Sequence, residues 1–347
     1  MPVYSFKNDY SEGAHPRILE ALMSSNFEQT EGYGMDSHTH NAARLLKERM
    51  EREDVDVHFL VGGTQTNLTA IAAMLRPHHA VISASTGHIC VHETGAIEAT
   101  GHKAIAVPTS DGKLVPEMVV KVLEEHTDEH MVKPKMVYIS NPTEIGTIYL
   151  KSELEALSSL CRQKGLILYM DGARLGCALT SDINDLTLSD IAGLVDAFYI
   201  GGTKSGALMG EALVICNDSL KEDFRFFIKQ RGGMLAKGRV LGIQFEELFR
   251  DDLYFELANH ANDMAKQIKK ALEELEVDMM TDSHTNQLFL TLPNTVVSQL
   301  EQKYSITIWG RADDDNTVIR LVTSWATREE AVSSLIENLK KLCASMN

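Results

Sequence analysis

A lysine set among small residues directly after an apolar run is the first feature of the chain that suggests chemistry: Tyr199-Ile200-Gly201-Gly202-Thr203-Lys204-Ser205-Gly206. Long cationic side chains ordinarily reach for water. Here glycines and hydroxyls on both sides leave room for a planar group against Lys204, and an apolar setting lowers an amine pKa toward nucleophilic competence. A Walker A loop needs Gly directly before its Lys, and Thr203 stands there instead, which excludes that motif.

Three other segments carry suggestive residues. In Tyr169-Met170-Asp171-Gly172-Ala173-Arg174 a carboxylate ends an apolar run, with a guanidinium three residues on. A surface ion pair is the plain alternative, but five apolar or aromatic residues precede Asp171, and a buried carboxylate needs a cationic partner. In Val61-Gly62-Gly63-Thr64-Gln65-Thr66-Asn67 two glycines open a helix whose first N–H groups can bind phosphate. Alone, this is equally an ordinary strand-to-helix junction. In Ser85-Thr86-Gly87-His88-Ile89-Cys90-Val91-His92-Glu93 two histidines four apart share a helix face and suit zinc. Their order matches neither zincin motif and no third ligand follows at regular spacing, so a histidine satisfied at a helix start is the plainer account and no metal is expected.

The elements that must position these residues are legible as a rhythm. Strands are expected at 55–61, 80–83, 104–107, 136–139, 166–170 and 197–200, alternating with helical stretches such as 116–124 and 152–161. That alternation signals an α/β fold with a mainly parallel sheet covered by helices, and ligands of such sheets gather outside the carboxyl ends of the strands. All four segments follow such an end. Beyond residue 250 the pattern changes to a helix over 251–276, strands at 288–292, 306–309 and 318–322, and a helix over 329–342. The expected organisation is a large domain over 1–250, with 1–15 as an N-terminal segment, and a smaller α+β domain over 251–347.

Composition bounds the rest. Of 347 residues, 44% are hydrophobic, enough for a sizeable core. With 33 basic against 49 acidic residues the net charge is −16, a surface that repels nucleic acid and anionic lipid. A small anion remains acceptable where buried cations and N–H groups reverse the field, so the pocket must be locally positive. Five scattered cysteines without a C-x-x-C pair read as reduced thiols. No leader-like start and no run approaching ~18 apolar residues is present, so a soluble, cytoplasmic protein is expected.

Taken in order, Gly-Gly-Thr, a histidine after the next strand, an aspartate at a strand end and a downstream lysine compose a pyridoxal phosphate site. The sequence resembles the fold type I pyridoxal phosphate enzymes, within them the threonine aldolase and β-eliminating lyase family, and specifically the low-specificity L-threonine aldolases. The resemblance spans nearly the whole chain, from Asp9 and Ser11 through Glu31-Gly32-Tyr33-Gly34-Met35-Asp36 to Ile319-Arg320-Leu321-Val322-Thr323. It implies a seven-stranded, mainly parallel sheet in the large domain. It further implies that Lys204 bonds the cofactor aldehyde, Asp171 faces the pyridine nitrogen and His88 stacks on the ring. Gly63, Thr64, Gln65 and Thr203 would hold the phosphate. Arg174, Arg320 and Ser11 would grip the substrate carboxylate. Tyr33 and Lys237 would reach a neighbouring subunit's site, because family members build the site across a homodimer or homotetramer.

Two departures bear on the reaction. Glu144 stands in Asn141-Pro142-Thr143-Glu144 where many aldolases carry a substrate-facing histidine, and Arg231-Gly232-Gly233-Met234-Leu235-Ala236-Lys237 lacks the family's phosphate-side arginine, with Lys237 the candidate replacement. The resemblance implies cleavage of an L-β-hydroxy-α-amino acid such as L-threonine or L-allo-threonine to glycine and an aldehyde. The residues themselves leave open β-elimination, dehydration or racemisation on the same cofactor, a zinc hydrolase built on His88, His92 and Glu93, and a catalytically silent binding module.

Overall fold

The computed structural model describes residues 3–344. Its central sheet is built from β2 (Asp56–Leu60), β3 (His79–Ala84), β4 (Lys103–Val107), β5 (Lys133–Ser140), β6 (Ile167–Asp171), β7 (Ala197–Gly201) and β8 (Glu211–Ile215), preceded in the chain by a two-residue β1 (Tyr4–Ser5) outside that sheet. The seven strands lie in the order β2-β8-β7-β6-β5-β3-β4. Pairing is parallel from β7 to β4, whereas β8 runs antiparallel to both β7 and β2. The fold is therefore α/β with a mainly parallel seven-stranded sheet. Six of these strands follow the apolar rhythm; β8 was not among them, because its run opens on the acidic Glu211 behind a glycine-rich turn.

Strand alternation divides the core by face. Ile82, Val137, Ile139, Leu168, Met170, Phe198 and Ile200 point to one helical layer. Their neighbours Val81, Met136, Tyr138, Ile167, Tyr169, Ala197 and Tyr199 point to the other. Both faces are covered, which is why the strands read as continuous apolar runs. At the carboxyl ends of β6 and β7 the backbones touch. A Cβ on Gly172 would stand 2.0 Å from Tyr199 O, and one on Gly201 would stand 2.3 Å from Ala173 O. Only glycine permits this approach, and it draws the segments carrying Asp171 and Lys204 together.

The C-terminal portion has its own sheet, β9 (Gln287–Pro293), β11 (Thr307–Arg311) and β12 (Asn316–Val322), antiparallel in the order β11-β12-β9, while β10 (Tyr304–Ser305) pairs with β1. Ile268 and Leu272 from helix Leu253–Glu274 and Leu335 and Leu339 from helix Glu329–Ala344 pack on Leu288, Leu290, Ile319 and Leu321. Each such side chain contributes about 1.5–3 kcal/mol by leaving water. Phe6 is buried in this same cluster, so the N-terminal segment is anchored on the C-terminal core. The first half of helix Leu253–Glu274 instead meets the large sheet's layer, where Gly176 lies so close that a Cβ would stand 2.9 Å from Ala258 Cβ. Among the described residues no helix is long and apolar enough to cross a membrane.

Candidate active site

The carboxyl ends of β2, β3, β5, β6 and β7 bring the suggestive segments to one edge of the sheet. Asp171, the last residue of β6, is buried and its carboxylate is saturated with donors. Oδ1 accepts from Tyr199 OH at 2.5 Å and Ala173 N at 3.0 Å, and Oδ2 from Tyr138 OH at 2.6 Å and Asn67 Nδ2 at 3.0 Å. Burial alone would push its pKa up. The nearby His88 charge and the hydrogen bonds from Tyr138, Tyr199 and Asn67 outweigh that and hold Asp171 below the usual range, an anion at neutral pH.

His88 opens a short helix after β3 and is tied to Asp171 through two side chains. Its Nδ1 lies 2.7 Å from Glu93 Oε1, which also accepts from Asn67 Nδ2 at 2.7 Å. Burial lowers the His88 pKa, but the Glu93 hydrogen bond and the Asp171 charge win, and the net direction is upward. Because Nδ1 is engaged, Nε2 is the free edge of the ring. Glu144 approaches from the β5 end, its Oε1 accepting from His88 N at 2.9 Å and Ser140 Oγ at 2.6 Å. Burial raises the Glu144 pKa despite these bonds. Glu144 is thus placed against His88, and Glu93 serves the imidazole as partner rather than as part of a metal cluster; among the described residues no group of three or more His, Cys, Asp or Glu could hold a metal.

Lys204 lies in the turn after β7 and has no hydrogen bond or ion pair to the described residues. Burial lowers its pKa and the Arg174 charge lowers it further, while Asp9, Asp171 and Glu211 pull the other way. An unpartnered amine biased toward its neutral form suits bonding to a carbonyl carbon. The same turn is fixed by Glu211, whose Oε1 accepts from Thr203 Oγ1 at 2.9 Å and whose Oε2 accepts from Gly202 N at 3.1 Å.

Two guanidinium groups stand on the other side. Arg174 is gripped by Asp9 through bonds of 2.6 and 3.1 Å, and Asp9 in turn accepts from Asn286 Nδ2 at 2.9 Å. Arg320, from β12, lies over the Trp309 ring at 5.3 Å and carries a buried Nε without a partner. Burial and the Arg174 charge lower its pKa. Two guanidiniums, one of them without an ion-pair partner and donating only from Nη2 to Lys7 O at 3.4 Å, form a site for a carboxylate. Ser11 bonds Asn8 Oδ1 at 3.0 Å on the N-terminal segment nearby in sequence to Asp9.

At the end of β2, helix Gly63–Met74 begins without a side-chain cap, leaving the first-turn N–H groups at Gly63, Thr64 and Gln65 open to an anion. A Cβ on Gly63 would stand 3.0 Å from Tyr199 OH, so this turn abuts the Asp171 cluster. Gln65 is partly engaged, its Nε2 donating to Arg231 O at 3.3 Å. Tyr33 and Lys237 lie apart from this cluster, together on an exposed ridge where Tyr33 N donates to Ala236 O at 3.2 Å. Tyr33 is 47% exposed.

A family model for beta-eliminating lyases matches residues 10–295. The chain belongs to the beta-eliminating lyase family. Members of this family use pyridoxal 5′-phosphate. The chain is 32% identical to the low specificity L-threonine aldolase of Pseudomonas aeruginosa, with 96% of each chain covered. It is 52% identical to a solved threonine aldolase of Leishmania major, covering 98% of this chain and 99% of that one at a TM-score of 0.97. A Thermus thermophilus aspartate aminotransferase mutant, 15% identical, covers 98% of this chain and 91% of its own at a TM-score of 0.72, a likeness of fold alone.

The residues present fit the family's cofactor. An unpartnered amine at Lys204, an anion at Asp171 for a pyridinium, an imidazole beside it and an uncapped helix end for a phosphate stand at one edge of the sheet. Sequence inspection did not single out Tyr138 and Tyr199, which orient Asp171, or Asn67, which bridges it to Glu93. A signal was present: each of three apolar runs carries one tyrosine, and Tyr138, Tyr169 and Tyr199 all fall on the same sheet face.

Proposed function

We propose that this enzyme cleaves the Cα–Cβ bond of L-threonine, L-allo-threonine and related L-β-hydroxy-α-amino acids to glycine and an aldehyde. The observation that carries the reading is the full-length likeness, 52% identical, to a protein described as a threonine aldolase.

Bound here, pyridoxal phosphate supplies the electron sink for the bond that breaks. Lys204 would supply the amine for its aldehyde, Asp171 would keep the ring nitrogen protonated, His88 would offer its ring to the cofactor, and Gly63, Thr64, Gln65 and Thr203 would hold the phosphate. Arg174 and Arg320 would bind the substrate carboxylate, with Ser11 at the margin, and so orient the substrate and select which α-carbon bond is presented for cleavage. The β-hydroxyl must lose its proton as the bond breaks. His88 Nε2 and Glu144 are the free edges for that proton, and a carboxyl whose pKa is raised by burial is a stronger base than a solvated one. Glu93 keeps the His88 ring in one orientation throughout.

The same reading includes a homodimer or homotetramer in which Tyr33 and Lys237 complete a neighbour's site. Their shared exposed ridge supports it, with Tyr33 held in place by Lys229 Nζ 4.7 Å over its ring. It also includes a division near residue 250, supported by the separate C-terminal cluster, and a cytoplasmic location, supported by five free cysteines. The test is product analysis with a panel of β-hydroxy amino acids. Glycine plus aldehyde is the expected result, whereas keto acid plus ammonia as the sole products would replace aldol cleavage with β-elimination.

A further inference from the structure

Glu211 is a buried carboxylate for which the proposed reaction has no use. It opens β8 opposite Gly201 of β7 and Leu60 of β2, so it sits where the Lys204 turn and the Gly62-Gly63 turn both begin. It is 4% exposed. Its contacts with Thr203 constrain where one hydrogen atom can go. Thr203 Oγ1 lies 2.9 Å from Glu211 Oε1 and accepts from Gly210 N at 3.0 Å. A hydroxyl has one hydrogen and two lone pairs. When Glu211 is ionised, that hydrogen is committed to Oε1. When Glu211 is protonated, its own O–H donates to the second lone pair of Thr203, and the Thr203 hydrogen is released to an incoming anion, whose only competitor in the turn is the long 3.5 Å contact to Gly210 O. Gly202 N remains bonded to Oε2 in both states.

The ionisable groups facing Glu211 are Lys204 from the same turn, Asp171 from β6, and the phenols of Tyr169, Tyr199 and Tyr254. Leu241 and Phe245 close the turn with apolar groups around Gly210 and Gly202. Burial pushes the Glu211 carboxyl up to about 8, against the Thr203 bond and the Lys204 charge. A phosphate dianion beside it favours the neutral form further, since like charges at close range cannot both persist in a desolvated site.

We propose that Glu211 is a proton-linked gate on the phosphate end of the cofactor site, where anion binding takes up one proton at Glu211 and turns the Thr203 hydroxyl from the carboxylate to the phosphate. The proposal rests on the assignment of this edge to the cofactor but not on the reaction catalysed there. Inorganic phosphate is the probe, because it lacks the aldehyde that would react with Lys204 and the ring nitrogen that the Asp171 anion would hold protonated. Titration calorimetry of the cofactor-free protein at pH 9, in buffers of differing ionisation heat, should show about one proton taken up per phosphate bound. Phosphate affinity should fall by roughly tenfold from pH 8 to pH 9.5. Glu211→Gln, which donates to Thr203 permanently, should remove most of that fall and bind phosphate about tenfold more tightly at pH 9.

No proton uptake by the wild-type protein, or an unchanged pH slope in Glu211→Gln, overturns the gate. Absence of proton uptake by the wild type overturns the gate even where the variant does not fold, and Lys204→Ala, which removes the other group able to take up the proton, should keep the uptake. A protein with this linkage that cleaves no β-hydroxy amino acid would remove the proposed reaction and leave the gate. Cleavage with a pH-independent phosphate affinity would do the reverse.

Discussion

Removing the phenol hydroxyls that hold Asp171 should shift the pH at which the enzyme loses activity, while leaving the carboxylate itself in place. Tyr138 and Tyr199 each donate one hydrogen bond to Asp171, at 2.6 and 2.5 Å, and both bonds are buried. A hydrogen bond to a charged acceptor contributes about 1.5–3 kcal/mol, which is roughly a ten- to hundredfold change in the carboxylate's proton affinity. The sign follows from the folded state: Asp171 is held below its ordinary pKa, so losing a donor raises it, and function that needs the anion fails earlier as pH falls. Tyr199→Phe or Tyr138→Phe should therefore move the acid limb of kcat/KM toward neutral by about one to two pH units. The double variant should move it further but by less than the sum, because both donors serve one carboxylate. Tyr169→Phe is the control, since its hydroxyl bonds Asn67 Oδ1 at 3.1 Å and reaches Asp171 only through that amide. Urea unfolding at pH 7 accounts for any loss of folded protein. An unmoved acid limb in the double variant, or an equal shift in Tyr169→Phe, would refute the argument that these hydroxyls hold Asp171 ionised.

Three further outcomes follow from the site. Lys204→Ala should remain folded while losing nearly all activity, and mass spectrometry of the borohydride-reduced wild-type protein should place the cofactor adduct on Lys204; an adduct on another lysine overturns the assignment. His88→Phe, which keeps a stacking ring, and Glu144→Gln should each slow cleavage of L-threonine or phenylserine, and parent rates in both would mean that neither takes the hydroxyl proton. Sedimentation at assay concentration should give a dimer or tetramer, with an active monomer as the refuting result.

The rhythm of apolar runs makes the central sheet legible because its strands are buried on both faces and leave no polar alternation to confuse with helix. The edges of that rule are where it fails. β8 is as buried as its neighbours, yet it begins on Glu211, and a carboxylate at the head of a strand reads as surface until the Thr203 and Gly202 bonds that satisfy it are seen. Lys204 and Asp171 were legible because each violates burial in a recognisable way, a charge directly after an apolar run. The groups that support them were not. Asn67 lies inside a helix among ordinary residues, and Tyr138 and Tyr199 are common core residues whose role depends on which carboxylate their hydroxyls meet. The link from Asp9 to Arg174 joins residues 165 apart in the chain, and no local pattern encodes it.

The expectation of a locally positive pocket also takes a more specific form. Lys204, Arg174, Arg320 and His88 stand against Asp9, Asp171, Glu93, Glu144 and Glu211, so counting charges yields no positive excess. The balance depends on which acids are ionised. Asp9 and Asp171 are held as anions by Arg174 and by the His88 and phenol contacts, whereas burial raises Glu144 and Glu211 toward their neutral forms. Each shift toward the neutral form removes negative charge from the lining, and Arg320 has none of these carboxylates as an ion-pair partner. A chain with a net charge of −16 can thus accept an anionic cofactor and an anionic substrate group at a site lined with acids. Burial acting on carboxyl groups makes the lining less negative, and that effect weakens as pH rises through the Glu211 value.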